Sequence, residues 1–209
     1  MHWCPATLSS TSAPIWATRR AWFTDRGIDV VCVEPQPALY QHLVARFADT
    51  PGVSVVGKGV GALRGTLQMS ISTREPTLST FASHWKEGRF ANAQWDCSAE
   101  VEITTLDDLV QEFGIPRYCK IDVEGYELEV VKGLNRRVGI VSFEFTNEYM
   151  NHAFAVIEKL IALGYKRFNL SLAESGSFHF ERWIPYYELV TLLRVSRTSE
   201  GLWGDIYAN

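Results

Sequence analysis

The stretch from Pro116 to Leu134, Pro-Arg-Tyr-Cys-Lys-Ile-Asp-Val-Glu-Gly-Tyr-Glu-Leu-Glu-Val-Val-Lys-Gly-Leu, admits few folds. Tyr118 to Ile121 is a compact run bounded by Pro116, the pattern of a strand buried inside a sheet. Leu128, Val130, Val131 and Leu134 fit one side of a helix, and Gly133 stands where that helix ends. Asp122 and Glu124 then fall at the carboxyl end of a strand, beside the amino end of the next helix. In an open α/β sheet that edge holds ligands. Carboxylates there also complement a helix dipole, so position alone leaves a structural and a ligand-facing role open.

The same alternation runs along the chain. Asp29 to Val33 reads as a buried strand closing on Glu34, Ala38 to Ala48 as a helix with Leu39, Leu43, Val44 and Phe47 on one side, and Val53 to Val56 as a strand. Strand–helix–strand order predicts a parallel, helix-covered sheet. Thr66 to Ser72 and Val101 to Thr104 are strand-like. Thr105 with Asp108 forms a capping-box start for a helix over Leu106 to Phe113. Val138 to Phe145 is a buried strand with Glu144 near its end, Asn147 to Leu163 an amphipathic helix stopped by Gly164, and Tyr165 to Leu172 a strand. Pro185 to Val195 is a helix, and Trp203 to Ala208 a last short strand, expected antiparallel near one edge. Cys119 and Phe143 are expected on adjacent central strands. Upstream, Met1 to Pro14 is irregular and Ile15 to Arg26 reads as a helix. With 209 residues and no internal repeat, one domain over 1–209 is the simplest organisation.

Lys120-Ile121-Asp122-Val123-Glu124-Gly125-Tyr126-Glu127 is preceded by Thr104-Thr105-Leu106-Asp107-Asp108-Leu109 and followed by Val141-Ser142-Phe143-Glu144-Phe145. Together these strings resemble the FkbM family of methyltransferases, and the resemblance runs from about Val30 to Trp203-Gly204-Asp205-Ile206-Tyr207. It implies an α/β fold of the class I, Rossmann-like kind. That fold is a three-layer sandwich with a mostly parallel central sheet and an antiparallel last strand. It also implies S-adenosylmethionine (SAM) as cofactor and methylation of a hydroxyl on a small molecule or sugar. One departure stands out. The family's glycine-rich turn after the first strand, Asp-x-Gly-Ala-Asn-x-Gly, has no counterpart over Pro5 to Pro14, and the first glycine of the chain is Gly27. The expectation is an altered or missing first strand and glycine loop on an otherwise ordinary family member.

Five groups of residues are candidates for chemistry. Glu34 ends a strand where a carboxylate can accept hydrogen bonds from the ribose hydroxyls of SAM or a dinucleotide; the alternative is a surface carboxylate before a Pro-rich turn. Gly57 to Gly65 lacks the Gly-Lys-Ser/Thr ending of a phosphate-binding loop and precedes a strand. The resemblance sets this loop near the adenine ring, with Gly59 and Val60 binding cofactor. Asp122, Glu124 and Glu144 converge on one crevice as candidate catalytic residues, with Asp122 also on the cofactor side. Clustered carboxylates raise one another's pKa, which suits a general base for an alcohol, and they equally suit hydrogen bonding to sugar hydroxyls. His84, His152 and His179 are alternative bases. Arg74 to Asp96, polar with Phe81, Trp85, Phe90 and Trp95 interspersed, has the length of a lid or substrate wall.

Composition narrows the partners. A net charge of −4 without any Lys/Arg run argues against nucleic acid. The four cysteines show no metal-ligand spacing, so no metal is expected, and a reducing cytoplasm fits them. No run approaches the ~18 apolar residues of a membrane span, and Met1 to Ser12 lacks the pattern of a signal peptide. A different class of function, a non-catalytic Rossmann-like binding module that has lost its cofactor loop, competes with the enzyme. A nicotinamide-dependent oxidoreductase is disfavoured, because no Gly-x-Gly-x-x-Gly follows a first strand.

Overall fold

The computed structural model describes residues 27–87, 90–173, 175–196 and 201–209. The helix expected over Ile15 to Arg26 and the altered first strand and glycine loop fall outside these residues. The chain is mixed α/β. Val30–Val33 (β1), buried at every position, runs parallel to Val53–Val56 (β2), with Val30 opposite Val53 and Val33 opposite Val56. The helix Pro37–Phe47 (α1) joins them, with Pro37 in the first turn, where a missing N–H leaves no helical bond unmade.

The glycine-rich loop contains a two-residue strand, Gly59–Val60 (β3). It pairs in parallel with Cys97–Thr104 (β5), which is also antiparallel to Gly65–Ile71 (β4). β5 begins at Cys97, earlier than the Val101 expected from sequence. Its first half is mostly exposed, so it lacks the apolar run that marks a buried strand, and pairing with β4 sets its start. Thr105 starts the helix Leu106–Phe113 (α2) as predicted. Its hydroxyl accepts the Asp108 amide at 3.1 Å, and Asp108 accepts the Thr105 amide at 3.2 Å.

The strand Tyr118–Ile121 (β6), followed by the helix Glu127–Lys132 (α3), pairs in parallel with Ile140–Thr146 (β7), setting Cys119 opposite Val141 and Ile121 opposite Phe143. After β7 the chain makes a 3-10 turn, Asn147–Tyr149, and the helix Met150–Ala162 (α4). The strands Arg167–Leu172 (β8) and Ile184–Pro185 (β9), the helix Tyr186–Val195 (α5) and the strand Trp203–Ala208 (β10) follow. The order in this group is β6-β7-β10-β8-β9. β10 is antiparallel as expected, yet it lies between β7 and β8, not at the margin. Ile206 and Ala208 are fully buried, and a strand at that depth needs partners on both sides for its backbone groups.

One large core cluster joins these layers: Ile121, Val141, Phe143, Leu170 and Ile206 from the strands against Val131, Ile157, Leu160 and Leu189 from the helices. It fixes the ends of β6 and β7, and therefore the acidic turn between β6 and α3. Among the described residues no helix is long and apolar enough to cross a membrane.

Candidate active site

The turn from Asp122 to Tyr126 has an unusual backbone. Glu124 and Gly125 both take positive φ, 53° and 88°. For Glu124 this left-handed conformation is strained and must be held by its surroundings. Two contacts hold it. The Glu127 carboxylate reaches back to accept the amides of Val123 at 3.3 Å and Gly125 at 3.1 Å. Thr80 Oγ1 donates to the Glu124 carbonyl at 2.7 Å while accepting the Ala82 amide at 2.9 Å. Gly125 is required on space as well as conformation, since a Cβ there would stand 2.6 Å from Cε3 of Trp85. The polar, aromatic segment before β5 therefore packs directly on the turn. Tyr149 fastens it from the other side, its hydroxyl donating to the His84 carbonyl at 2.7 Å.

Asp122, Glu124 and Glu144 meet at the strand ends. Each offers a carboxylate oxygen, and these oxygens lie within 4.8 Å of one another. The register adds a fourth acid, because Asp205 of β10 stands opposite Glu144. Lys120 is the cation among them, donating to Asp205 Oδ1 at 2.7 Å and lying 3.5 Å from Asp122 Oδ2. Burial alone would lower the Lys120 pKa, but the neighbouring Asp122 and Asp205 charges outweigh it and raise it. The acids shift the other way. Burial, reinforced by Asp122 and Glu127, pushes Glu144 up to about 9, and burial pushes Glu127 up to about 7. Glu124 is raised well above the ordinary carboxylate range by burial and then by Asp122 and Glu144. Asp122 is also raised, by burial against the pull of Lys120.

Two openings flank this cluster. A cleft of about 450 Å³ is lined by Glu34, Gln36, Val60, Phe81, Asp122 and Glu124 among others. Sequence reasoning thus brought Glu34, Val60, Asp122 and Glu124 to one wall. Glu34 is no surface carboxylate: it is 1% exposed, accepts the Gln36 amide at 2.8 Å, and is pushed up to about 8 by burial. Gly59 does not line the cleft. A Cβ on it would come within 2.6 Å of Ile103 and 2.9 Å of Phe81, so its visible part is to let β3 pack closely. The second opening, about 310 Å³, is lined by Trp85, Glu127, Glu144, Thr146, Tyr149 and His152 among others.

The histidines divide. His152 shares the second opening with Glu144, and His84 lies edge-on to His152 at 4.3 Å. Burial and then His152 hold His84 below its ordinary pKa. His179 packs against Phe180 and takes no part in either opening. Sequence reasoning missed Thr146, Tyr149, Lys120 and Asp205 as neighbours of the acids. Thr146 was within reach, since alternation along β7 puts it on the face of Glu144.

Residues 12–167 match the family model described as the Methyltransferase FkbM domain. No curated protein matches the chain. Matched over most of its length, and with the acidic turn of β6 set into a cleft, the chain belongs to the FkbM-domain methyltransferases.

Proposed function

We propose that the protein is a SAM-dependent O-methyltransferase acting on a hydroxyl of a small molecule or sugar. One observation carries the reading: Glu34 and Asp122–Glu124 line a single cleft at the carboxyl ends of β1 and β6, with Glu144 within carboxylate reach. Strand order supports the class I, Rossmann-like arrangement, through parallel β2-β1 and β6-β7 and an antiparallel β10 between β7 and β8. The cleft mixes apolar side chains such as Val60, Met69 and Phe81 with a few convergent polar groups, the lining expected of a small-molecule site. A buried carboxylate at one end and an acidic cluster at the other fit a ligand carrying ribose hydroxyls and a positive charge.

When bound, SAM supplies an electrophilic methyl carbon on a sulfonium. Glu34 would hold the ribose hydroxyls. Val60, on the same wall, would pack against the base. Asp122, Glu124 and Glu144 would face the acceptor, where whichever carboxylate is ionised can take the hydroxyl proton. The acidic surroundings disfavour a phosphorylated or carboxylated acceptor and favour a neutral or cationic one. Methyl transfer needs alignment more than covalent help, with reacting atoms about 3–3.5 Å apart, which the rigid turn at Glu124 can provide.

The test is Glu124→Gln, scored by release of S-adenosylhomocysteine over a panel of neutral sugars. As base, Glu124 makes this substitution cost about 10²–10⁴-fold in rate with SAM affinity little changed. Retained turnover with a stability change of only ~0.3–1 kcal/mol would reduce Glu124 to a helix-start residue.

A further inference from the structure

We propose that Asp122, Glu124 and Glu144 form a binding site for a hard divalent cation, Mg²⁺, Mn²⁺ or Ca²⁺. Such ions take oxygen ligands at about 2.0–2.6 Å, so two ligands on opposite sides of one ion stand no more than about 5 Å apart. Three carboxylate oxygens within 4.8 Å of one another meet that limit, two from the turn after β6 and one from β7.

Charge balance points the same way. Lys120 is already engaged by Asp205 and Asp122, and no ion pair joins Glu124 or Glu144 to a cationic side chain among the described residues. A second observation is independent of the acids. Thr146, 5% exposed, lines the opening that holds Glu144 and stands on the same face of β7, yet its buried Oγ1 has no hydrogen-bond partner. Trp85, 3% exposed, lines the same opening with a buried Nε1 equally unpartnered. A buried hydroxyl and indole N–H without partners are costly, and an ion with its bound water at the acids supplies what they lack. All three ligands are carboxylates, which selects hard cations over zinc or copper. The inference deepens the methyltransferase reading, since a bound cation would hold the acceptor hydroxyl and ease loss of its proton. Ion binding itself is measured without SAM or acceptor, so it can fail or succeed separately from that reading.

The experiment titrates the full chain with Tb³⁺, reading emission sensitised by nearby Trp85 and Tyr149, and then displaces it with Mn²⁺ and Ca²⁺. Calorimetry with Mn²⁺ alone runs in parallel. The wild type is expected to give saturable emission that the divalent ions displace. Glu144→Gln and Glu124→Gln should each weaken binding by at least the ~10–100-fold typical of losing an outer-shell partner. Trp85→Phe should dim the emission, and the exposed Glu102→Gln should change neither the emission nor the Mn²⁺ affinity. No saturable Mn²⁺ heat in the folded wild type overturns the proposal without any variant. Emission that survives unchanged in folded Glu144→Gln overturns it as well.

Discussion

Glu34 carries a burial cost that should be visible in stability. Its folded pKa is raised by burial to about 8 from an ordinary 4.5, so between those values the folded state binds more protons than the unfolded one. Stability then falls as pH rises through that window. Urea unfolding at steps from about pH 5 to pH 8 should show the decline, to which the raised Glu124, Glu127 and Glu144 also contribute, and Glu34→Gln, neutral throughout, should make it shallower. An unchanged slope in the variant would remove Glu34 as a source. At this scale, the legible residues were those at strand ends: Glu34, Asp122, Glu124 and Glu144 follow from where strands stop. Thr80 and Trp85 lie in the segment read as a lid or substrate wall, but their contacts with the turn, and those of Tyr149, were not legible. They reach the turn through contacts across long stretches of chain, and no local pattern encodes such contacts.

Among the elements, α2 and the β6–α3 turn make opposite cases. The α2 start is local chemistry, with Thr105 and Asp108 satisfying each other's amides, and the sequence predicted its bounds. Thr105→Ala should cost about 1 kcal/mol in chemical denaturation with the fold retained. The turn depends on its neighbours. Gly125→Ala adds a left-handed penalty of roughly 1–2 kcal/mol and forces a Cβ against Trp85, an overpacking worth about 1–3 kcal/mol. A combined loss of roughly 2–5 kcal/mol is expected, with the Glu124 carboxylate displaced. Loss below about 0.5 kcal/mol would mean that the segment carrying Trp85 yields freely. The strand β5 shows why one element was read short. Its exposed half offers no apolar run, and only its partner β4 determines where it begins.

The whole molecule gathers acids at one edge: Asp122, Glu124, Glu127, Glu144 and Asp205, with Lys120 paired to Asp122 and Asp205. A large core under β6 and β7 holds them in place, and this rigidity keeps like charges close where a flexible loop would let them separate. Strand–helix alternation made the class of fold legible. The position of β10 between β7 and β8 was not, because hydrogen-bond partners of a short buried strand are chosen by the tertiary packing. In the proposed function the cleft from Glu34 to Glu124 holds SAM, with the acids facing the acceptor. Calorimetric titration of SAM into the wild type, Glu34→Ala and Glu124→Gln tests it most directly. Saturable binding to the wild type is expected, with a loss of roughly 1–3 kcal/mol in Glu34→Ala and little change in Glu124→Gln. Absence of SAM binding to the folded wild type, or equal affinity in folded Glu34→Ala, would contradict it.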